Sequence, residues 1–270
     1  MGTLLSRSGQ KMWDVHYQPL YDRVASAVVA IGNRYVAGHV VQPHSHKRSQ
    51  LLYGATGVMM VVTEHGAWVV PPEQAVWLPA GEVHSVHMTM GPMETHSAFV
   101  WPDAIPGLPQ HCQVVGMSPL MRELLRESID VPLEYDAQGR DGLLMALLQQ
   151  EMTRLPVLPL SLPFPRDQRL AKRCRRLLDQ PTPHDNIDQW AESMEMSRRA
   201  FTRLFREQTG MSFAAWKQQA CLFAALPRLA AGEAVTTVAL DLGYDSPAAF
   251  TSMFRRALGA PPSRYFGQRS

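Results

Sequence analysis

Along the chain the spacing of apolar residues changes character twice. Over residues 24–101, short runs rich in Val, Tyr, Trp and Thr are cut by Gly and Pro, which predicts short strands joined by tight turns. After Pro119 the spacing becomes helical. Leu120, Leu124 and Leu125 share a face over 119–128, and Leu143, Leu144, Leu147, Leu148 and Met152 share a face over 142–154. Those faces either pack on the strand-rich region or form a helix-to-helix seam between two copies. Residues 155–165 read LPVLPLSLPFP, with prolines at 156, 159, 163 and 165. Each proline removes a backbone donor, so no helix runs through and a stiff connector is expected. Its leucines, Val157 and Phe164 are too apolar for a freely solvated linker, so it should lie against one of its neighbours.

Beyond that connector the chain repeats itself. Residues 200–210 read AFTRLFREQTG and residues 249–259 read AFTSMFRRALG. Ahead of each copy stands a short helical stretch with a small residue, Ala191 or Ala239, followed by a turn, so each copy is a helix-turn-helix candidate. In the first, Trp190 and Met194 occupy the leading helix, Met196 plugs the turn, and Phe201, Leu204 and Phe205 make the buried stripe. Ser197 is placed to cap the second helix, which leaves Arg198, Arg199, Thr202, Arg203 and Arg206 outside. In the second, Val238, Ala239 and Leu242 lead, Gly243 turns, Tyr244 plugs, and Phe250, Met253 and Phe254 form the stripe. Ser246 caps it and Pro247 sits in the first turn, where its missing N–H is harmless.

A single helix with arginines outside is usually just solvated. Two such units 49 residues apart, joined by one helix over 213–231, are hard to explain by packing alone. A helix of about 20 residues spans about 30 Å, close to the roughly 34 Å between successive major-groove faces of B-DNA. Charge supports the reading. The whole chain of 270 residues carries only +2, but residues 1–165 hold 10 Lys/Arg against 14 Asp/Glu and residues 166–270 hold 16 against 10. A basic C-terminal part joined to a mildly acidic part is the outline of a polyanion binder with a second domain attached. Arg166, Arg169, Lys172, Arg173, Arg175 and Arg176 decorate a further helix, facing either phosphate or solvent.

Other classes are excluded. No apolar stretch approaches the roughly 20 residues of a membrane span, and residues 1–14 lack the apolar centre of a secretory signal, so a cytoplasmic protein without membrane partners is expected. Three scattered cysteines, Cys112, Cys174 and Cys221, fit reduced thiols and exclude both a disulfide framework and a CxxC zinc site.

The C-terminal part resembles the AraC/XylS family of bacterial transcription regulators. The resemblance is carried by Ala239, Leu242, Gly243, Tyr244, Ser246, Phe250, Phe254, Arg255, Gly259, Pro262 and Tyr265, with Ser197, Leu204, Phe205 and Gly210 in the first motif. It implies base-facing positions at Arg199, Thr202 and Arg203, and at Ala248, Ala249, Thr251 and Ser252. Chemically the sets are unequal. Arg203 can make a bidentate contact to guanine, whereas the second set offers methyls and hydroxyls, so sequence discrimination is expected mainly from the first motif. Three positions depart from the family pattern: Ala220 and Cys221 replace a Leu-Arg pair, Pro227 falls inside the linking helix, and Glu195 stands where the first turn prefers glycine.

The N-terminal part resembles the cupin barrel, through His44-Ser-His46 with Gln50 following and Pro79-Ala-Gly81-Glu-Val-His84. On a strand, His44 and His46 point to one side and their imidazoles could meet His84. Three neutral histidines suit Fe, Mn, Ni or Zn. Gln50, however, stands where metal-binding cupins have a carboxylate. The alternatives are a divalent metal and a metal-free pocket in which His44, His46, Gln50 and His84 face an effector. Pocket lining by Tyr53, Met60, Trp68 and Trp77 depends on strand register.

The expected architecture is α+β: a cupin-like effector-sensing and dimerisation domain over 1–155, a linker over 156–165, and an all-α DNA-binding domain with two helix-turn-helix motifs over 166–270. The expected DNA-contacting residues are Ser197, Arg198, Arg199, Thr202, Arg203, Arg206, Ser246, Ala248, Ala249, Thr251, Ser252 and Arg255. Two function classes follow: a one-component, small-molecule-responsive transcription regulator that requires no cofactor and is no enzyme, or a cupin metalloenzyme with an appended DNA-binding domain. The first implies double-stranded promoter DNA, a small effector, a homodimer and, if it activates, RNA polymerase as partners.

Overall fold

The computed structural model describes residues 20–90, 92–180 and 185–265; the stretch 1–14 lies outside them. The chain divides into two compact units, Met1–Thr63 with Trp68–Leu160, and Glu64–Ala67 with Ser161–Ser270. The division thus falls within the proline-rich segment.

The first unit is two antiparallel sheets. Its strands are β1 (Val28–Tyr35), β2 (Val40–His44), β3 (Ser49–Gly54), β4 (Val58–Thr63), β5 (Gly66–Val70), β6 (Gln74–Leu78), β7 (His84–Met90), β8 (Met93–Val100), β9 (Gln113–Gly116) and β10 (Val157–Leu158). One sheet runs β1-β8-β3-β6-β9-β10, and the other contains β5-β4-β7-β2 in that order. Register decides which residues face inward. Gln50 stands opposite Leu78 and Phe99, while its neighbour Leu51 stands opposite Trp77 and Ala98. Successive side chains take opposite faces, so Leu51, Tyr53, Ala75, Trp77 and Val115 share the outer face.

Two helices cover that outer face, α1 (Pro119–Ser128) and α2 (Arg140–Met152). The Ser118 side chain accepts from Met121 N and Pro119 opens α1, so the start of this helix follows from its sequence. Met121, Leu124, Leu125, Met145, Leu148 and Met152 form one core with Leu51, Tyr53 and Trp77. The expected apolar faces are therefore split. Leu148 and Met152 go inward, but Leu120 is 49%, Leu143 65% and Leu147 44% exposed. Tyr53 and Trp77 belong to this helix-covered core and not to the interior between the sheets. The connector is also more structured than a stiff linker: β10 pairs with Val114 and Val115, and Leu160, Leu162 and Phe164 are buried.

One buried cation ties down the start of the unit. Arg48 is 0% exposed, donates to the carbonyls of Val24 (2.8 Å), Ser26 (2.9 Å) and Ala27 (3.3 Å), and lies 4.1 Å from the Trp101 ring centre. Arg48→Met keeps the volume but leaves carbonyls without their donor, at about 2 to 3 kcal/mol. A urea midpoint for the first unit's transition that does not move would contradict this.

The second unit is helical, preceded by β11 (Ser161–Pro163): α3 (Gln168–Asp179), α4 (Ile187–Ser193), α5 (Arg198–Thr209), α6 (Phe213–Ala230), α7 (Val235–Asp241), α8 (Pro247–Leu258) and α9 (Pro262–Tyr265). Local chemistry sets most boundaries. Asn186 and Gln189 form a capping box for α4, Ser212 caps α6, and Trp216 in α6 donates through Nε1 to Pro163 O at 2.7 Å. Pro227 lies within α6 and the helix continues past it to Ala230. Just beyond it, Arg228 bonds Glu233 at 2.7 Å and Asp241 at 2.5 Å, which fixes the end of α6 to α7.

Candidate functional site

In the second unit the two halves of the repeat fold alike. Ser197 Oγ accepts from Ala200 N at the start of α5, and Ser246 Oγ accepts from Ala249 N at the start of α8. Each of these helices stops at a left-handed glycine, Gly210 at φ 71° and Gly259 at φ 80°. Beneath α5, the buried Trp190 ring lies 4.9 Å from Phe213, 6.4 Å from Phe201 and 6.5 Å from Phe205. Beneath α8, Phe250, Met253 and Phe254 are buried with Val238 and Ala239 of α7. Leu204 is half-buried and so only borders the stripe. Glu195 holds φ 56° in the first turn, where the equivalent turn uses Gly243 at φ 77°. The turn therefore keeps the left-handed backbone of a glycine, and the departure is one of residue type, with a side chain held where L residues are strained.

The outward faces differ in chemistry. Ser197, Arg198, Arg199, Thr202, Arg203 and Arg206 are all exposed. Arg198 lies 3.4 Å from Asp188, whereas Arg199, Arg203 and Arg206 make no ion pair among the described residues. On a helix, positions 199, 203 and 206 share a face, so α5 presents a row of uncommitted guanidiniums. On α8, Ala248, Ala249, Ser252 and Arg255 are exposed, with Ser246 and Thr251 half-buried. Three cations of the α3 face have internal work instead. Arg169 donates to Ser193 O at 3.1 Å, Arg173 bonds Ser193 and stacks 4.7 Å from the Trp190 ring, and Arg175 donates to Glu64 O at 3.2 Å.

In the first unit the structure gathers His44, His46 and His84. One ring nitrogen from each lies within 4.8 Å of the others, and ring centres are 4.4 Å apart for His44–His84 and 5.1 Å for His46–His84. The route differs from the expected alternation along one strand, because β2 ends at His44 and His46 lies in the turn before β3. Each ring is anchored through Nδ1 to a carbonyl: His44 to Gln42 (2.9 Å), His46 to Arg48 (2.5 Å) and His84 to Glu82 (2.9 Å). A carbonyl only accepts, so in the neutral form of His44 and His84 the lone pair sits on Nε2, whereas His46 has an acceptor at each ring nitrogen, Arg48 O at Nδ1 and Gln50 Oε1 at Nε2. Gln50 accepts through Oε1 from His46 Nε2 at 3.0 Å and donates through its amide N to Ser97 Oγ at 2.9 Å; His84 Nε2 is buried without a partner among the described residues.

Burial is the main reason that the His46 pKa is lowered and that of His84 is pushed down to about 3, with neighbouring histidines adding to it. Burial thus favours the neutral form of both rings. In the unfolded chain they titrate near 6.5, so below that pH the unfolded state takes up protons that the folded state refuses. This contribution to stability is full above about 6.5 and is lost as pH falls toward about 3. Urea midpoints for the first unit should drop between pH 7.5 and pH 5, and less steeply in His84→Leu; a pH-independent midpoint would contradict the burial argument.

Two residues that the sequence did not single out complete this end of the interior. Phe99 lies 5.2 Å from His46, and Tyr21 stacks on Phe99 at 4.1 Å. The register of β8 beside β3 reveals Phe99, and Tyr21 reaches it from the segment ahead of β1. As a donor set, three imidazoles suit a divalent cation of the iron, manganese, nickel or zinc class, with Gln50 having to give up its contact with His46 Nε2. Gln50 is neutral, so this set leaves the cation's charge uncompensated.

Comparison with known proteins agrees with both halves. An AraC-like ligand binding domain model matches residues 27–198 and a Helix-turn-helix domain model matches residues 190–268. The HTH-type transcriptional regulator NimR of Escherichia coli is 33% identical over 93% of this chain and 91% of that protein. The Arabinose operon regulatory protein of Salmonella typhimurium is 30% identical over 47% of each. Among solved structures, ToxT of Vibrio cholerae covers 90% of this chain and 98% of that one at 10% identity, with a TM-score of 0.37. With both domain models matched in this order and a regulator aligned over nearly its full length, the chain belongs to the AraC family and is a DNA-binding transcriptional regulator with an N-terminal ligand-binding domain.

Proposed function

We propose that α5 and α8 enter successive major grooves of promoter DNA, with Arg199, Thr202 and Arg203 reading bases. Ser197, Arg198, Arg206, Ser246 and Arg255 then hold phosphate, and Ala248, Ala249, Thr251 and Ser252 supply methyl contacts and register. The observation that carries this is the row of exposed guanidiniums at 199, 203 and 206, without an ion pair among the described residues, on a helix braced by buried aromatics. A small effector bound at His44, His46, Gln50 and His84 shifts the balance between states of different DNA affinity. Leu120, Leu143 and Leu147 form the homodimer contact, and RNA polymerase is the further partner where the regulator activates.

Selection of genomic fragments by the purified protein tests the reading. A few fragments sharing one bipartite motif are expected, with enrichment lost in Arg203→Ala. Uniform recovery of the genome would contradict it.

A second reading rests on the convergence of His44, His46 and His84. There His44, His46 and His84 would hold a divalent metal, which would supply a Lewis-acid anchor for the effector, and the site would be a sensing centre rather than a catalytic one. Titration with Co²⁺ should give a visible absorption band saturating at one equivalent, absent in His46→Ala. A spectrum that does not change would reject the metal and leave the metal-free pocket.

A further inference from the structure

We infer a second small-molecule site in the first unit, on the face of the sheet opposite the histidine cluster. A cavity of about 120 Å³ lies between β3, β6 and β9 and the C-terminal end of α2, lined by Leu51, Trp77, Val115, Met152, Leu155 and Gln113 among others. Leu51 and Trp77 are cross-strand partners, as are Trp77 and Gln113. Gln50 and Leu51 are consecutive on β3 and so face opposite ways, which places this cavity on the other side of the sheet from the Gln50–His46 contact.

The lining specifies the ligand. Leu51, Trp77, Val115 and Met152 are each at most 5% exposed and form an apolar floor. Trp77 Nε1 already donates to Pro109 O at 2.7 Å, so its indole offers only the ring. The nearby Thr153 hydroxyl donates to Gln150 O at 2.8 Å. The Gln113 amide has no side-chain partner among the described residues, and the lining includes no charged side chain. The pocket is open to solvent on one side and its lining is part polar, and a volume of about 120 Å³ is of the order of a single five- or six-membered ring. The site is built for an uncharged aromatic or heteroaromatic ring with one polar substituent directed at Gln113. It goes beyond the effector pocket proposed above and does not depend on it.

The test is a fluorine NMR titration of the full chain with 4-fluorophenol, fluorobenzene and 4-fluorobenzoate. Saturable binding is expected for the first two, tighter for the phenol, and none for the carboxylate. Leu155→Trp, or Thr153→Trp at the rim should the first variant not fold, should fill the space and abolish binding. Gln113→Leu should remove the preference for the phenol, and His84→Leu should leave binding unchanged. No saturable binding, equal binding of the carboxylate, binding that survives the filling variant, or binding lost in His84→Leu would each overturn the proposal.

Discussion

Replacing Arg199 and Arg203 together with alanine should lower affinity for the cognate site about a thousandfold. Each bidentate guanidinium-base contact contributes about 1 to 3 kcal/mol of discrimination. A combined loss near 4 kcal/mol is about three factors of ten. Neither side chain holds an ion pair among the described residues, so their removal should leave the fold intact and the circular dichroism spectrum unchanged. Arg198→Ala should cost less, because that guanidinium is already shared with Asp188 at 3.4 Å. Fluorescence anisotropy titrations at two salt concentrations check both points. The double variant should flatten discrimination between cognate and scrambled duplexes, and equal affinity losses on both would mean these arginines touch phosphate only.

The largest effect on stability is expected from Trp190→Ala, at about 3 to 5 kcal/mol. The ring is the common neighbour of Phe201, Phe205, Phe213 and Trp216, with Arg173 over its face, so truncation opens a cavity that four aromatics must share. Its Nε1 is buried without a partner among the described residues. Trp190→Phe therefore gives up ring volume but also removes an unsatisfied donor, and it should cost much less than alanine. Near-UV circular dichroism during thermal unfolding measures this. The alanine variant should lose the transition of the second unit and its DNA binding while the first unit melts unchanged. Equal costs for Phe and Ala would show that the ring packs less closely than its contacts indicate.

The helix-turn-helix pair was legible because its signals are local. Ser197, Ser246, Gly210 and Gly259 mark helix ends within a few residues, and the spacing of Phe201, Phe205, Phe250 and Phe254 specifies the buried stripe without knowledge of any distant partner. The histidine cluster was legible in residue type but not in geometry, since His46 reaches His84 from a turn and not from the strand that alternation implies. Features set by long-range register were hidden. Tyr53 and Trp77 face the helices because β3 and β6 pair as they do, and Gln113 comes to lie beside Trp77 through the pairing of β6 with β9. Helical periodicity found the leucines of α2 but could not choose among them, since one wide apolar stripe holds both Leu148, which packs inward, and Leu143, which faces out. Charge patterning likewise could not say that Arg173 and Arg175 are committed internally, nor that Arg48 is buried on three carbonyls.

In the proposed complex α5 and α8, spaced by α6 of about 27 Å, act on one duplex together. Dimethyl sulfate interference on a selected site measures this most directly, because methylation at guanine N7 blocks major-groove contacts. Two interference patches are expected about one helical turn, roughly 10 base pairs, apart on one face of the DNA for each protein copy, with the patch assigned to α5 disappearing in Arg203→Ala. A single patch, or two patches on opposite faces of the helix, would contradict it.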